Sequence, residues 1–291
     1  MATGCVMALC LGLLWVCVGA TITAARDLGC PIFKFYFIGS TVAAALSWGY
    51  LLVSGGGGQG GWKLGLVLAV GVLFNALGQA LTMRNLASGG RALAMTLPQV
   101  AFVVPFLVAV LFWREAASAP QWLGVGLIAM AALGCVPGRG AGPLGAVGLG
   151  LAAAALIGLG QVALIVPSRA AAFAGVSCAL RVAWFWTASA VFLGVVVALG
   201  KDRRNILPRG RAAALCLVWG AQAALSFLLL FKTLDVMGAL GMAGLVYALA
   251  STTSIVGYAL YVWLRLGERP GQRQVMVISL IVAGLVAIRV F

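Results

Sequence analysis

MGALGMAGLVYALASTTSIVGYALYVW, residues 237–263, runs for 27 residues without a charged side chain. A stretch this long and apolar reads as a membrane-spanning helix, because hydrocarbon tolerates a polypeptide only when the backbone satisfies its own hydrogen bonds over about 20 residues. Its middle is nevertheless polar: Tyr247, Ser251, Ser254 and Tyr258 step by four, three and four residues, with Thr252 and Thr253 between them. That spacing puts the four on one helix face, where they meet either a neighbouring helix or a water-filled cavity.

The rest of the chain extends the same reading. Of 291 residues, 64% are hydrophobic and 8% charged, with a mean hydropathy of +1.14. Charges, glycine clusters and prolines cut it into ten apolar runs: 4–24, 32–53, 62–83, 92–113, 120–136, 144–166, 174–199, 211–231, 237–263 and 272–290. The expected fold is therefore all-α, with ten transmembrane helices and no soluble domain. The N-terminal run reads as a retained first helix, since no basic residue precedes it and Arg26 follows it. GGGGQGG at 55–61 lacks the Gly-Lys-Ser/Thr ending of a phosphate loop and reads as a connection.

The formal charge of +14 does not signal nucleic acid, because the 19 basic residues are scattered between apolar runs rather than gathered into a groove-sized patch. Alternate connections divide them unequally, thirteen on one side and six on the other. By the positive-inside rule both termini lie outside the cytoplasm, in what reads as a bacterial cytoplasmic membrane. The chain has no histidine, and its seven cysteines show no C-x-x-C spacing. Neither a metal site, a cofactor site nor a disulfide framework is expected, and an enzyme would lack its commonest general base.

The two halves, 1–141 and 142–291, echo each other. MRNLASGG at 83–90 aligns with FKTLDVMG at 231–238, offset by 148, and Glu115 with Leu127-Ile128 aligns with Glu268 with Leu280-Ile281. A five-helix unit repeated in tandem enters the membrane from the opposite side the second time, which gives the inverted repeats of many transporters.

At these residues the chain resembles the drug/metabolite transporter superfamily. The acidic residues Glu115 and Glu268 follow the fourth helix of each half, and glycine-containing closing helices, LGVGLIAMAALG (123–134) and VISLIVAGLVAI (277–288), come after them. LTMRNL at 81–86 and VWLRLGERPGQRQVMVISL at 262–280 are most similar to the rhamnose-proton symporter family. The resemblance implies ten helices in two five-helix repeats, outward termini, and symport of a sugar such as rhamnose. The ninth helix departs from that pattern, having no acidic residue among its polar ones.

Polar side chains recur at equivalent depths. Asn75, Gln79 and Thr82 form one face of the third span, Thr96 and Gln99 lie in the fourth, and Trp219, Gln222 and Ser226 form a face of the eighth. With the Tyr247–Tyr258 face they outline a candidate substrate site. Hydroxyl residues can instead bond their own backbone or aid helix packing, a reading that stands level with the site reading for Thr252 and Thr253, which leave the stripe; long amides and phenols are harder to satisfy that way. Pro98 and Pro105 predict a kink in the fourth span, with freed carbonyls open to a substrate or to none. Gly238, Gly241 and Gly244 predict close helix contact.

Arg84, Glu115, Lys232, Asp235 and Glu268 sit at predicted helix ends as interfacial anchors or as gate and orientation charges, with Arg114 beside Glu115. No fixed charge falls at mid-membrane. The set suits a small neutral metabolite moving across the lipid bilayer, with or without a coupling ion; an exporter of amino acids or other metabolites, and a non-transporting scaffold, are the competing readings. Asp235 is the one candidate proton site, although symport usually calls for an intramembrane acid.

Overall fold

The computed structural model describes residues 1–55, 61–87, 97–134, 144–200, 210–266 and 272–287. All regular structure among them is helical: α1 (Ala2–Asp27), α2 (Ile32–Ser54), α3 (Gly61–Ala87), a 3-10 segment (Leu97–Phe102) running into α4 (Val103–Leu111), α5 (Ala119–Gly134), α6 (Leu144–Arg169), a 3-10 turn (Ala171–Phe173), α7 (Cys178–Leu199), α8 (Arg211–Ala239), α9 (Gly244–Leu266) and α10 (Gln272–Ala287). Seven of these, α1, α2, α3, α6, α7, α8 and α9, are long and apolar enough to cross a membrane. The protein is an integral membrane protein by this measure, and its exposed leucines, valines and phenylalanines are what lipid-facing helices require.

Glycines set how closely the helices approach. A Cβ on Gly12 of α1 would lie 2.5 Å from Thr253 Cβ and 2.6 Å from the Ala250 carbonyl of α9. One on Gly78 of α3 would lie 2.6 Å from Ile157 of α6, and one on Gly220 of α8 2.7 Å from the Gly39 carbonyl of α2. Between apolar helices in lipid, such small residues permit the backbone contact that holds a bundle together. The main packing partners are α3 with α6 and α7, α2 with α7 and α8, α1 with α8 and α9, α4 with α6 and α9, and α5 with α10.

Two boundaries depart from the sequence reading. The apolar runs predict an eighth span ending at 231 and a ninth beginning at 237, but α8 continues to Ala239 and α9 starts at Gly244. The charges at Lys232 and Asp235 do not stop the helix, because Asp235 is paired with Arg181 while Lys232 is exposed. The chain turns instead at Gly241, whose φ of +68° suits a residue without a Cβ. Asp235 is thus inside a helix and not on a link. In the fourth span, Pro98 lies in the 3-10 segment and Pro105 in the first turn of α4, where a missing N–H costs little. The expected kink takes the form of a change of helix type. The carbonyl of Ala101, four residues before Pro105, faces α6, 2.7 Å from where a Gly158 Cβ would be, so it is not offered to a substrate.

Of the glycines expected to make close helix contact, Gly238 meets only ordinary neighbours, with Arg169 Cδ 3.5 Å from where its Cβ would be, and the other two divide their tasks. Gly241 makes the turn, while Gly244 packs against α4, where a Cβ would lie 2.7 Å from Ala109 Cβ.

Candidate functional site

The bundle is tight at one end and looser at the other. Every residue from Ala243, just before α9, to Thr252 is buried, whereas Thr253 to Tyr261 are all partly or fully exposed. α3 gives the same indication. Gln79 shares a helix face with buried Leu68, Val72 and Thr82, one turn on from half-buried Asn75, yet it is exposed. Gln79 is therefore a polar side chain left uncovered on the helix face that elsewhere packs inward.

Around this looser half, polar groups of different helices meet. Thr21 of α1 donates to Gln222 Oε1 of α8 at 2.9 Å, and Thr23 of α1 shares a 2.8 Å hydrogen bond with the Tyr258 hydroxyl of α9. Thr21 and Thr23 escape a sequence reading because each also bonds a carbonyl four residues back, the ordinary habit of a membrane threonine. The signal for them is only the pair of hydroxyls in TITAARD.

The predicted polar residues do not form one wall. Asn75 faces α6, where its Cβ would be 3.3 Å from a Cβ on Gly160. Thr82 and Ser226 are buried and bond carbonyls of their own helices. Ser251 is buried and Ser254 half-buried, while Thr252 and Thr253 donate to Ala248 and Leu249 carbonyls. Tyr247 is almost wholly buried and its hydroxyl has no partner. Arg84 falls in α3 and Gln99 in the 3-10 segment; Thr96 and Glu268 lie outside the described residues.

Trp219 joins an aromatic cluster rather than a polar stripe. Its ring lies 5.3 Å from Tyr36 and 5.8 Å from Phe35 of α2, and 5.7 Å from Trp186 of α7; Phe227 and Phe185 continue the cluster beyond Trp186. Gly39 leaves the space the Trp219 ring occupies.

Four charged residues, Glu115, Arg169, Arg181 and Asp235, gather at the tight end. Glu115 is buried, and its carboxylate accepts hydrogen bonds from the backbone N–H groups of Ala243 (3.2 Å) and Gly244 (3.1 Å), at the start of α9. A carboxylate there meets both unpaired donors and the positive end of the helix dipole. Arg169, at the end of α6, reaches Glu115 at 3.4 Å and donates to the Gly238 carbonyl near the end of α8. The expected pairing of Glu115 with its neighbour Arg114 is corrected: Arg114 takes a φ of +53°, is exposed, and the turn it makes sends Glu115 inward. Beside this group Arg181 grips the Asp235 carboxylate with both terminal nitrogens, donates to Ser168 Oγ at 2.6 Å, and lies 5.2 Å from the centre of the Phe231 ring. In the sequence, Arg169 and Arg181 count only as scattered positive charges.

No family model matches the chain, and no curated protein does. A solved protein crystal structure does share its fold, with a TM-score of 0.76 at 18% identity, over 99% of this chain and 96% of that one. At that identity the likeness concerns the fold alone.

Proposed function

We propose that this protein is a secondary carrier, not an enzyme, with ten membrane spans in two inverted five-helix repeats, 1–141 and 142–291. It moves a small neutral metabolite, with a sugar such as rhamnose as the specific candidate, by alternating access. The observation that carries this reading is the contrast between the sealed and the loosened end of α9, with Gln79 exposed on an inward face. A bundle closed toward one side and open toward the other is what a carrier presents in one half of its cycle.

The packing pattern supports the repeats. Exchanging each helix of the first five with its counterpart in the second five turns α1 on α9 into α6 on α4, α1 on α8 into α6 on α3, and α2 on α8 into α7 on α3. The pairs α2–α7, α4–α9 and α5–α10 map onto themselves. Individual atoms follow suit: the space above Gly12 is filled by Thr253 Cβ and the Ala250 carbonyl, and that above Gly158 by Val104 Cβ and the Ala101 carbonyl. A scaffold would need neither this correspondence nor an interior opening. The acids Glu115, buried, and Asp235, half-exposed, are both engaged by arginines, which favours transport over acid–base chemistry.

The test is uptake of labelled sugars and amino acids into proteoliposomes, with and without imposed ion gradients. Saturable uptake of a neutral sugar supports the reading. Lack of uptake across the panel under every gradient would remove it.

A further inference from the structure

The aromatic cluster on α2, α7 and α8 has a property that packing does not account for. Trp186 and Trp219 are 5% and 6% exposed, Ser40 is 1% exposed, and the indole Nε1 of each tryptophan and the Ser40 hydroxyl have no hydrogen-bond partner. Buried polar groups are normally paired, so three orphans in one neighbourhood require a reason. They are close in the fold: the two indole rings are 5.7 Å apart, Gly39 abuts Trp219, and Ser40 is one turn on from Tyr36, which itself lies 5.3 Å from Trp219. Gln222, one turn from Trp219 on α8, links the cluster to Thr21 and the looser end of the bundle.

We infer that Ser40, Trp186 and Trp219 form the recognition centre for an uncharged solute bearing acceptor oxygens and an apolar face, as a pyranose does. This rests on the carrier reading and deepens it. The chemistry follows from the donor set. An indole N–H donates and cannot accept, so two indoles require a ligand that supplies acceptors. The rings of Tyr36, Trp186 and Trp219, packed together in this cluster, are apolar groups of the kind that line small-molecule sites, where a few placed polar groups fix orientation. The residues of the cluster carry no formal charge that could compensate an ionic ligand, so an ammonium or a carboxylate would be buried at a large unrecovered penalty. Trp186 and Ser40 are invisible as site residues in the sequence, since a tryptophan or a serine in an apolar span is ordinary.

Trp186→Phe, Trp219→Phe and Ser40→Ala each remove a donor while keeping most of the packing. In proteoliposomes carrying labelled L-rhamnose, D-glucose or L-leucine, each variant should raise the KM of the transported sugar about 3- to 10-fold, the worth of one hydrogen bond, with kcat changed less. Thermal stability without sugar should stay level or rise, because an unpaired buried donor has been removed. Unchanged KM in all three variants, with wild-type sugar uptake intact, would overturn the recognition centre and leave the carrier standing. If the wild type transports none of the three solutes and none shifts its melting temperature, carrier and centre fall together; a shift by L-rhamnose or D-glucose that the variants lose would keep the centre without transport. Transport of L-leucine alone would overturn the neutral-sugar assignment.

Discussion

The Glu115 carboxylate sits 3.1 Å from the backbone nitrogen of Gly244, joining the segment after α4 to the first turn of α9 across 129 residues of sequence. Arg169 closes the arrangement by holding Glu115 on one side and the end of α8 on the other. The contact ties the first half of the chain to the second at the sealed end of the bundle. Glu115→Gln removes the charge that complements both Arg169 and the helix terminus, at an expected cost of about 3 kcal/mol for a buried pair that loses one partner. In a background without the seven native cysteines, Met242→Cys should then react several-fold faster with a membrane-impermeant maleimide. Equal rates with and without the Glu115→Gln substitution would show that the contact does not keep this end closed.

Matching glycines in the two halves predict matching penalties. Gly12→Ala and Gly158→Ala each place a methyl group 2.5–2.7 Å from a neighbouring helix, on Thr253 and Ala250 in one case and on Val104 and Ala101 in the other. Each should destabilise the detergent-solubilised protein by about 1–3 kcal/mol through overpacking. Gly49→Ala, with no atom within 4 Å of its Cβ, should be neutral or slightly stabilising. Thermal unfolding of the three variants decides the point. A neutral Gly12→Ala would mean that α1 and α9 are not held at this separation.

The Tyr247 hydroxyl separates a structural role from a functional one. Buried and without a partner, it stabilises nothing within the protein, so Tyr247→Phe should raise the melting temperature or leave it unchanged. On the carrier reading Tyr247→Phe and Gln79→Leu both slow transport, while Thr252→Val, whose hydroxyl serves only the Ala248 carbonyl, leaves the rate near wild type. Uptake and melting curves on the same preparations test both halves of this statement. Should Thr252→Val be as damaging as the other two, polarity in α9 serves packing.

How far the sequence discloses this arrangement depends on whether a residue acts within its own helix. Long charge-free runs announce α1, α2 and α9 because spanning a bilayer is a property of one segment. The end of α8 is misplaced by the sequence because Asp235 looks like a helix-ending charge until Arg181, 54 residues earlier, is seen to neutralise it. Glu115 stands out in the sequence, yet its evident partner there is adjacent Arg114 and not Arg169. Helical periodicity places Trp219 on a polar face, whereas its surroundings come from α2 and α7, which no spacing along α8 reveals. Gln79 stands out correctly as polar on an apolar helix, but only the fold shows it exposed on an inward face.

Orientation follows from the distribution of basic residues. Ser118, in the segment between α4 and α5, and the N-terminus should lie outside the cytoplasm, and Leu28, between α1 and α2, inside. Both side chains are exposed, so Ser118→Cys and Leu28→Cys are suitable reporters. In intact cells an impermeant maleimide should label position 118, and position 28 only after permeabilisation. The reverse pattern would turn the whole bundle over, placing the Glu115 contact on the cytoplasmic side.

On the carrier reading, proton coupling would have to involve the pair Arg181–Asp235. The Arg181 side chain is 3% exposed and that of Asp235 38%, and besides both guanidinium nitrogens the carboxylate accepts from Cys178 Sγ at 3.1 Å. Both terminal guanidinium nitrogens occupy the carboxylate, so taking up a proton in each cycle would require the pair to part. The proposal is therefore facilitated diffusion or coupling to an ion other than the proton. Asp235→Asn should destabilise the protein by about 3 kcal/mol, the lower end of the range for stranding a buried charge, since solvent at the half-exposed carboxylate weakens the pair. Sugar added to de-energised cells expressing the wild type should leave the external pH unchanged. Any sugar-dependent alkalinisation would overturn the proton-independent reading: one that disappears in Asp235→Asn, while counterflow exchange of labelled sugar persists, would make this pair the proton site, and one that survives the substitution would place the proton elsewhere.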